Sequence, residues 1–498
     1  MELAQIQPEK PAVVFRKEML TYEALSQIMA HMGRFLTSQG IGRGSRVLFS
    51  AVSKPEAICA LLGIQSVGAT AVGLGRDASA KDSCVLYDET KADLCLTDRA
   101  LENESGNCRV ESLHALFTSA VEQAQDSLAD VAENPVPDPE DIAEMIFTTG
   151  TTGKPKGVML SFRAVYQISK NTIDGIGIFP EDRVLVPLPL HHSLALREVR
   201  AALWQGATVV LQNGFRFAGE LEKNISELGC TGMVTVPASL DLVRTQLGES
   251  FSSVLGKLRY MEVGAGSLSV RQRKEYTKLL PGTRLNNTWG SSETGGALFL
   301  RVNEAAKDPV MVSSIGKPLE GVTIRVLDTE GNEILSPDSE NPGRLALKGD
   351  MVMSGYWNRP METADALRGD WLVTNDLVYT DKDGYAYMLG RVDDIINVGG
   401  EKVSPIEVEN LAGEYSAIKE CACIGVPDET LGQIPVLFYV QEEDFSMEEW
   451  KRYLTKCMAK YMVPRAFVPV NALPRNPMQK LDRRAMRAMW SQMGAKSE

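Results

Sequence analysis

The residues most suited to chemistry lie in the segment 147–158, Phe-Thr-Thr-Gly-Thr-Thr-Gly-Lys-Pro-Lys-Gly-Val. It holds three glycines, four threonines and two lysines. Glycines let backbone N–H groups converge on an anion, hydroxyls add donors, and lysines add charge that can meet a phosphate. It is not a Walker A loop, because Pro155 and Val158 stand where the second glycine would follow Gly150 or Gly153. The composition predicts a phosphate-binding loop, and the alternative is a flexible surface loop.

The elements that must position this segment follow an α/β pattern. An apolar strand, residues 143–147, precedes it, and the first 130 residues alternate helices (22–39, 54–67) with strands such as 45–50. Alternation of this kind predicts a layered α/β fold. A Pro-rich connector occupies residues 133–140.

The last third of the chain is predicted to contain more strands. We predict strands at 323–327 and 344–347, and a hairpin turn at Asp383-Gly384. After residue 391 follow a Gly399-Gly400 turn, a helix near Pro405, a strand, and a helix from Met447. This separate α+β pattern predicts a boundary at Gly390–Asp394, which divides the chain into domains 1–390 and 391–498.

Composition excludes several classes of function. The net charge is −13, which disfavours nucleic acid and anionic lipid as partners, although residues 451–498 carry eleven basic against two acidic side chains. No apolar run reaches the roughly 18 residues of a membrane helix, and the first five residues do not resemble a signal peptide. We therefore predict a cytoplasmic protein without integral membrane contact.

The eight cysteines and four histidines do not form a metal motif. Cys421 and Cys423 are spaced as C-A-C, which is neither a zinc knuckle nor a CxxC redox pair, and no HExxH occurs. The apolar side chains at alternate positions of residues 421–426 favour a buried strand there. We predict reduced thiols and no structural zinc.

Several motifs in order along the chain resemble one family. Residues 149–157 resemble the signature loop of the adenylate-forming superfamily, which includes acyl-CoA synthetases, standalone adenylation domains and beetle luciferases. The other segments that resemble family motifs are Leu20–Leu25, Leu188–Ser193, Asn287–Glu293, Thr374–Leu377, Gly390–Asp394 with Asn397–Val403, and Leu473–Arg483. The resemblance covers nearly the whole chain. It implies a large N-terminal domain of layered α/β subdomains with a small β-barrel-like part, followed by a small mobile α+β domain.

The resemblance also implies an activity. Members of the family convert a carboxylate and ATP to an acyl-adenylate and pyrophosphate, and acyl-CoA synthetases then transfer the acyl group to the thiol of coenzyme A. The implied cofactors are ATP, Mg²⁺ and coenzyme A. Positioning and electrostatic stabilisation supply most of the catalysis in phosphoryl chemistry of this kind.

The family roles map onto individual residues of this sequence. Lys480 corresponds to the mobile catalytic lysine, Glu293 to the magnesium-contacting acid, and His192 to the histidine near the substrate carboxylate. Thr149 is a second predicted metal contact. The residues predicted to bind ATP or AMP are Thr148, Thr149, Gly150, Thr151, Thr152, Gly153, Lys154, Lys156, Gly264, Ala265, Gly266, Asn287, Trp289, Gly290, Ser291, Ser292, Asp376 and Arg391.

Other family roles concern the second half-reaction and the acid. Asp393 corresponds to the hinge of the small domain. The residues predicted to face the CoA tunnel are Gly399, Gly400, Glu401 and Lys402. The residues predicted to line the acyl pocket are His191, Ser193, Val236, Pro237, Gly295 and Gly296. Three residues depart from the usual family motifs, namely Ser292 in place of threonine and Asn375 and Gln479 in place of glycine.

The identity of the acid and of the acceptor stays open at the sequence level. Amino-acid-activating members usually have Phe-Asp where this chain has His191-His192, so a plain carboxylic acid is favoured over an amino acid. The many small residues predicted to form the pocket wall suggest a roomy pocket for a fatty or aryl acid. Arg197 and Arg200 follow on a predicted helix, where one could meet a second carboxylate or instead pair with Glu198 or another acid. The favoured function is an acyl-CoA synthetase. The alternatives are an enzyme that loads a carrier-protein phosphopantetheine and a catalytically silent nucleotide-binding member.

Overall fold

A computed structural model describes residues 2–99, 108–126, 136–149, 155–266, 268–476 and 480–494. The helices are α1 (Glu2–Ile6), α2 (Tyr22–Ser38), α3 (Pro55–Ser66), α4 (Ala80–Thr90), α5 (Leu113–Asp126), α6 (Phe162–Ile176), α7 (Ser193–Gln205), α8 (Ala218–Glu227), α9 (Pro237–Leu247), α10 (Phe251–Leu255), α11 (Val270–Leu279), α12 (Val302–Ala305), α13 (Pro360–Ala366), α14 (Pro405–Gly413), α15 (Met447–Cys457) and α16 (Arg483–Gly494). The strands are β1 (Pro11–Phe15), β2 (Glu18–Thr21), β3 (Arg46–Ser50), β4 (Thr70–Leu74), β5 (Leu94–Leu96), β6 (Val110–Glu111), β7 (Ile142–Thr149), β8 (Pro155–Ser161), β9 (Arg183–Val186), β10 (Thr208–Leu211), β11 (Gly232–Thr235), β12 (Tyr260–Val263), β13 (Arg284–Ser291), β14 (Gly295–Arg301), β15 (Lys317–Pro318), β16 (Thr323–Leu327), β17 (Gly343–Lys348), β18 (Gly355–Tyr356), β19 (Leu367–Arg368), β20 (Trp371–Thr380), β21 (Ala386–Arg391), β22 (Ile396–Val398), β23 (Glu401–Val403), β24 (Ile418–Asp428), β25 (Gly432–Gln441) and β26 (Ala466–Pro469).

Two large sheets form the layered α/β part. The first has the order β15-β14-β13-β12-β11-β9-β10-β1-β2, and the second has the order β18-β8-β7-β4-β3-β5-β6. Strands β9 to β13 pair in parallel, as do β3, β4, β5 and β7. The predicted layered α/β fold is thereby confirmed, and one large apolar core extends from Ala12 to Ala386.

Local sequence explains the early elements. Helix α2 begins after Thr21, whose hydroxyl accepts a hydrogen bond from the backbone N–H of Ala24 at 3.1 Å. Its Leu25, Ile28 and Leu36 side chains are buried, as expected for an amphipathic helix lying on a sheet. The predicted helices at 22–39 and 54–67 and the strand at 45–50 match α2, α3 and β3 within a few residues.

A third sheet stands where the small barrel-like part is predicted. Its five antiparallel strands have the order β16-β17-β20-β19, with β21 paired to β20. The Asp383-Gly384 hairpin joins β20 to β21, and Gly384 has φ +80°, a conformation that favours glycine. The antiparallel part is confirmed as a sheet.

The C-terminal residues form a fourth sheet with apolar clusters of their own. Strands β22 to β26 carry α14 and α15 around Trp450 on one face, and α16 packs around Phe438 on the other. Two arginines of α16 pair with acids, Arg483 with Glu409 and Arg487 with Asp394. The separate clusters support the predicted boundary at Gly390–Asp394, which stays a prediction.

Several polar contacts join the large domain and this small domain. Arg271 of α11 donates hydrogen bonds to the carbonyl oxygens of Gly413 and Ile418, and it lies 3.4 Å from Glu442. Lys274 lies 4.0 Å from Glu414. These contacts join the small domain to α11.

Two further observations concern sequence predictions. All eight cysteines lie among the described residues and none forms a disulfide, while their reduced state stays a prediction. Among the described residues, the helices are too short or too polar to cross a bilayer.

Candidate active site

Several of the predicted site residues lie at the carboxyl ends of the parallel strands of the first sheet. Segments that follow β9, β11 and β12 supply the two histidines, Val236 and Gly264, and Trp289 lies near the end of β13. The backbone N–H of Gly264 donates to the carbonyl of Thr235 at 3.1 Å, which ties two of these segments together. Ligands commonly bind at this edge of an open α/β sheet.

The turn between β13 and β14 presents the predicted acid, Glu293. Gly290 must be glycine here, because a Cβ would lie 1.9 Å from the carbonyl oxygen of Gly295. The Ser291 hydroxyl accepts a hydrogen bond from the backbone N–H of Glu293 at 3.2 Å. The tight turn therefore fixes the backbone from which the Glu293 side chain extends.

Asp376 and Arg391 face each other across β20 and β21. Desolvation raises the pKa of Asp376, and the positive charges of Arg391 and Lys480 oppose that rise. A hydrogen bond from Trp289 also favours the ionised carboxylate. Trp289, which the family resemblance predicts to stack on adenine, thus lies beside Asp376, which it predicts to bind the ribose.

Lys480 reaches this group from the small domain. Its backbone N–H donates to the Asn476 side chain at 3.0 Å, and an isolated bridge joins Arg475 to Leu481. Part of the side chain is accessible to solvent, yet desolvation dominates and lowers the pKa of the Lys480 ammonium. The charges of Glu293 and Asp376 act in the opposite sense. Three predicted residues from distant parts of the chain therefore share one electrostatic environment.

The two histidines of the pocket are uncharged in this environment. Their ring centroids lie 3.9 Å apart, and the rings are tilted by 45° to each other. Desolvation, with smaller effects from His191 and Lys480, lowers the pKa of His192 to about 3. Desolvation also lowers the pKa of His191, which packs against Gly75. A neutral imidazole at residue 192 can approach a carboxylate as a hydrogen-bonding group without carrying a charge.

Three glycines predicted to line the nucleotide and acyl sites pack against α7 and the start of α9. The space beside Gly264 is filled by Leu194, and the space beside Gly266 is filled by Pro237. Gly296 packs against the guanidinium of Arg197, where a Cβ would lie 2.4 Å from the nearest nitrogen. Ala265 has φ +58°, a left-handed conformation uncommon for alanine.

The two arginines of α7 are both paired and buried. Arg197 pairs with Glu262 on β12, and Arg200 pairs with Glu144 on β7. Each pair is a charge-assisted hydrogen bond in the core. These pairs favour the expectation that the two arginines bind acids of the protein over the expectation that one of them binds a second carboxylate of the substrate. The acids that pair with them are Glu262 and Glu144, and not the suggested Glu198.

Part of the predicted phosphate loop lies outside the described residues. This applies to Gly150, Thr151, Thr152, Gly153 and Lys154, and also to Gln479. The two strands that flank the loop are described, and Thr148 pairs with Lys156 and Thr149 with Pro155. The loop thus connects the adjacent ends of β7 and β8, and its contacts stay a prediction.

The predicted CoA-tunnel and hinge residues are exposed to solvent. The hairpin residues Gly399–Lys402 are mostly exposed, and the Gly399 N–H donates to the carbonyl of Leu431 within the small domain. Asp393 is exposed and accepts a hydrogen bond from Asn375 at 3.5 Å. Asn375, one of the departures from the family motif, therefore contacts the predicted hinge.

The acid set fits a magnesium ion that arrives with a nucleotide. Glu293 supplies a hard oxygen ligand, and the described residues hold no group of three or more potential metal-ligating side chains. Mg²⁺ is usually bound by one or two carboxylates together with phosphate oxygens and waters. The residues present suit that mode, and the roles of Glu293 and Thr149 stay predictions.

One residue at the site was missed by the sequence interpretation. The Tyr356 hydroxyl donates to a carboxylate oxygen of Glu293 at 2.8 Å. The only local signal is Gly355-Tyr356 ahead of the Pro360 helix, which does not indicate a partner 63 residues away.

Comparison with known proteins identifies the family. The AMP-binding enzyme family matches residues 2–357, and the AMP-binding enzyme C-terminal domain matches residues 407–480.

The chain belongs to the AMP-binding enzyme family.

The predicted adenylate-forming superfamily is confirmed, and so is the prediction that the chain is an enzyme. A 2-succinylbenzoate–CoA ligase of Bacillus velezensis is 29% identical over 97% of this chain and 96% of its own length. A 3-hydroxybenzoate–CoA/4-hydroxybenzoate–CoA ligase of Thauera aromatica is 28% identical over 98% and 95%. The o-succinylbenzoate CoA synthetase of Bacillus subtilis, solved with its acyl-adenylate intermediate, is 26% identical and superposes with a TM-score of 0.82 over 98% and 97%.

Proposed function

We propose that this protein is an AMP-forming CoA ligase that activates an aryl carboxylic acid. The supporting observation is the position of Lys480, which extends from the small domain into the electrostatic environment of Glu293, Asp376 and His192. Family membership and the CoA ligases among its relatives support the same proposal. ATP and coenzyme A are its proposed co-substrates.

In the first half-reaction, a carboxylate oxygen attacks the α-phosphorus of ATP, an acyl-adenylate forms and pyrophosphate leaves. Two anions must approach each other, so a positive charge between them lowers the barrier. Lys480 supplies that charge on a long, flexible side chain. Asp376 has two acceptor oxygens that can take both ribose hydroxyls.

The proposed reaction also needs the Mg²⁺ ion that accompanies ATP. Magnesium, when bound, neutralises charge on the phosphates and on the departing pyrophosphate. Glu293 would hold it, and Thr149 would contribute at the end of β7.

In the second half-reaction, the thiolate of coenzyme A attacks the acyl carbon and AMP leaves. The Gly399–Lys402 hairpin is exposed, so it could meet the pantetheine arm after the small domain rotates about Asp393. Glycines at 399 and 400 permit close approach of a narrow thiol arm.

An aryl acid suits the pocket better than a fatty acid. A buried ion pair of Arg197 and Glu262 lies beside Gly296, so charged groups stand behind this part of the predicted pocket wall. The relatives named above act on succinylbenzoate and hydroxybenzoates, which are aryl acids. The neutral His192 also gives no anionic partner for a substrate amine.

The test is release of pyrophosphate from ATP and Mg²⁺ with a panel of benzoates, fatty acids and diacids, each with and without coenzyme A. We expect turnover with a benzoate and coenzyme A, and a 10²- to 10³-fold lower rate in Lys480→Ala. Lys460→Ala removes an exposed lysine of the same domain and serves as the matched control.

Other outcomes distinguish the alternatives. Release that stops near one equivalent despite coenzyme A would indicate a carrier-protein thiol as acceptor. Calorimetric ATP binding without release for any acid would support the silent nucleotide-binding alternative. Equal rates in Lys480→Ala and Lys460→Ala would contradict the role of Lys480.

A further inference from the structure

Tyr356 joins two parts of the site that belong to different sheets. Its hydroxyl donates to Oε1 of Glu293 at 2.8 Å, and the ammonium of Lys156 lies 5.0 Å from the centroid of its ring. Glu293 follows β13 of the first sheet, whereas Lys156 lies in β8 of the second. One aromatic side chain therefore contacts both the predicted metal-contacting acid and a predicted phosphate-contacting lysine.

The backbone around Tyr356 is fixed against the same two elements. Strand β18 pairs with β8, with Tyr356 opposite Val158, and the Trp357 N–H donates to the carbonyl of Gly157 at 2.8 Å. On the other side, the Met353 N–H donates to the carbonyl of Glu293 at 2.9 Å. Residues 353–357 thus bind the backbone of both segments, and the Tyr356 side chain contacts the functional group of each.

The chemistry of the hydroxyl matters for a cation site. A phenol is a neutral donor, so it orients a carboxylate and leaves its negative charge in place. A lysine or arginine would cancel that charge. Because a carboxylate has two oxygens, a hydrogen bond to Oε1 sets its plane while Oε2 keeps its ability to coordinate Mg²⁺. Hydrogen-bonding partners of metal ligands typically change metal affinity by 10- to 100-fold when removed.

We propose that Tyr356 is a positioning residue for magnesium–ATP. Its hydroxyl orients the carboxylate of Glu293, and its ring holds the ammonium of Lys156, so the acid and the lysine are aligned before the nucleotide binds. This inference rests on the proposed function, because it assumes that Glu293 meets the magnesium of ATP.

The test compares ATP binding by calorimetry with Mg²⁺ and with EDTA, in the absence of acid and coenzyme A. Tyr356→Phe keeps the ring and removes only the hydroxyl. We expect affinity for magnesium–ATP to fall about 10-fold or more and affinity in EDTA to stay unchanged. Tyr387→Phe is the matched control, because it removes a hydroxyl that donates to Asp381 at 2.8 Å.

A second variant makes the result independent of general effects on folding. If Tyr356 acts through Glu293, adding Tyr356→Phe to Glu293→Gln gives no further loss of magnesium–ATP affinity. A further loss in the double variant would overturn the inference. So would an equal loss with Mg²⁺ and with EDTA, or no loss at all.

The inference and the proposed function fail in different ways. If the unmodified protein binds magnesium–ATP and Tyr356→Phe binds it equally well, only the role of Tyr356 is refuted. If the unmodified protein does not bind magnesium–ATP, both are refuted.

Discussion

His192 is expected to stay neutral across the pH range in which the enzyme would work. The change to test is His192→Gln, with His114→Gln as the control because its side chain is 70% exposed. Desolvation lowers the pKa of His192 to about 3, whereas an unfolded histidine titrates near about 6.5. As pH falls below 6.5, the unfolded state takes up a proton that the folded state does not, so stability falls.

The size of the effect follows from these two values. At pH 5, which is about 1.5 units below the unfolded pKa, protonation of this histidine stabilises the unfolded state by about 2 kcal/mol. At pH 7 the same protonation stabilises the unfolded state by only about 0.2 kcal/mol. Because pH 5 lies well above the folded pKa of about 3, His192 stays neutral in the folded state at both pH values. Replacing His192 by glutamine should therefore remove about 2 kcal/mol of destabilisation between pH 7 and pH 5.

Two measurements check this prediction. In the protein labelled at the imidazole carbon of histidine, the NMR signal absent from His192→Gln should not shift between pH 7.5 and pH 5. Urea unfolding of the parent and both variants at pH 7 and pH 5 gives the difference in stability. An imidazole midpoint near 6.5, or a His192→Gln response equal to that of His114→Gln, would refute the reasoning.

Two substitutions test packing beneath the site. Gly290→Ala should lower stability by about 1–3 kcal/mol, because its Cβ would meet a backbone carbonyl oxygen at 1.9 Å. Gly282→Ala, where nothing lies within 4 Å, is its control in thermal denaturation, and equal melting temperatures would contradict the close approach. Arg197→Met should cost about 3–5 kcal/mol, because it leaves the buried Glu262 unpaired. Adding Glu262→Gln should recover much of that loss in urea unfolding, and a double variant as unstable as the single one would argue against the pair.

Local signals in the sequence are sufficient to predict much of the fold. The helix at Tyr22–Ser38 follows a capping threonine and an amphipathic spacing, and the Asp383-Gly384 turn lies between two strand patterns. Such signals span only a few residues, so they are visible without the rest of the chain. The order of nine strands in the first sheet depends on pairing between distant segments, which local patterns do not specify.

The same distinction applies to the site. Glu293, Asp376 and Lys480 were proposed from segments that resemble family motifs, and the structure brings them into one electrostatic environment. The contact of Tyr356 with Glu293 is different, because no pattern within either segment indicates the other. The pairing of Arg197 with Glu262 likewise depends on how α7 lies over β12.

The contact between α11 and the small domain has a consequence for how firmly the two parts adhere. Arg271 and Lys274 meet carbonyl oxygens and acids at a partly exposed surface. Water can replace each of these partners, and exposed ion pairs contribute only about 0–1 kcal/mol each. Separation would leave the clusters around Trp450 and Phe438 intact, because both lie within the small domain. The orientation seen here is thus weakly held, and the energy of a bound ligand is large enough to decide which orientation is populated.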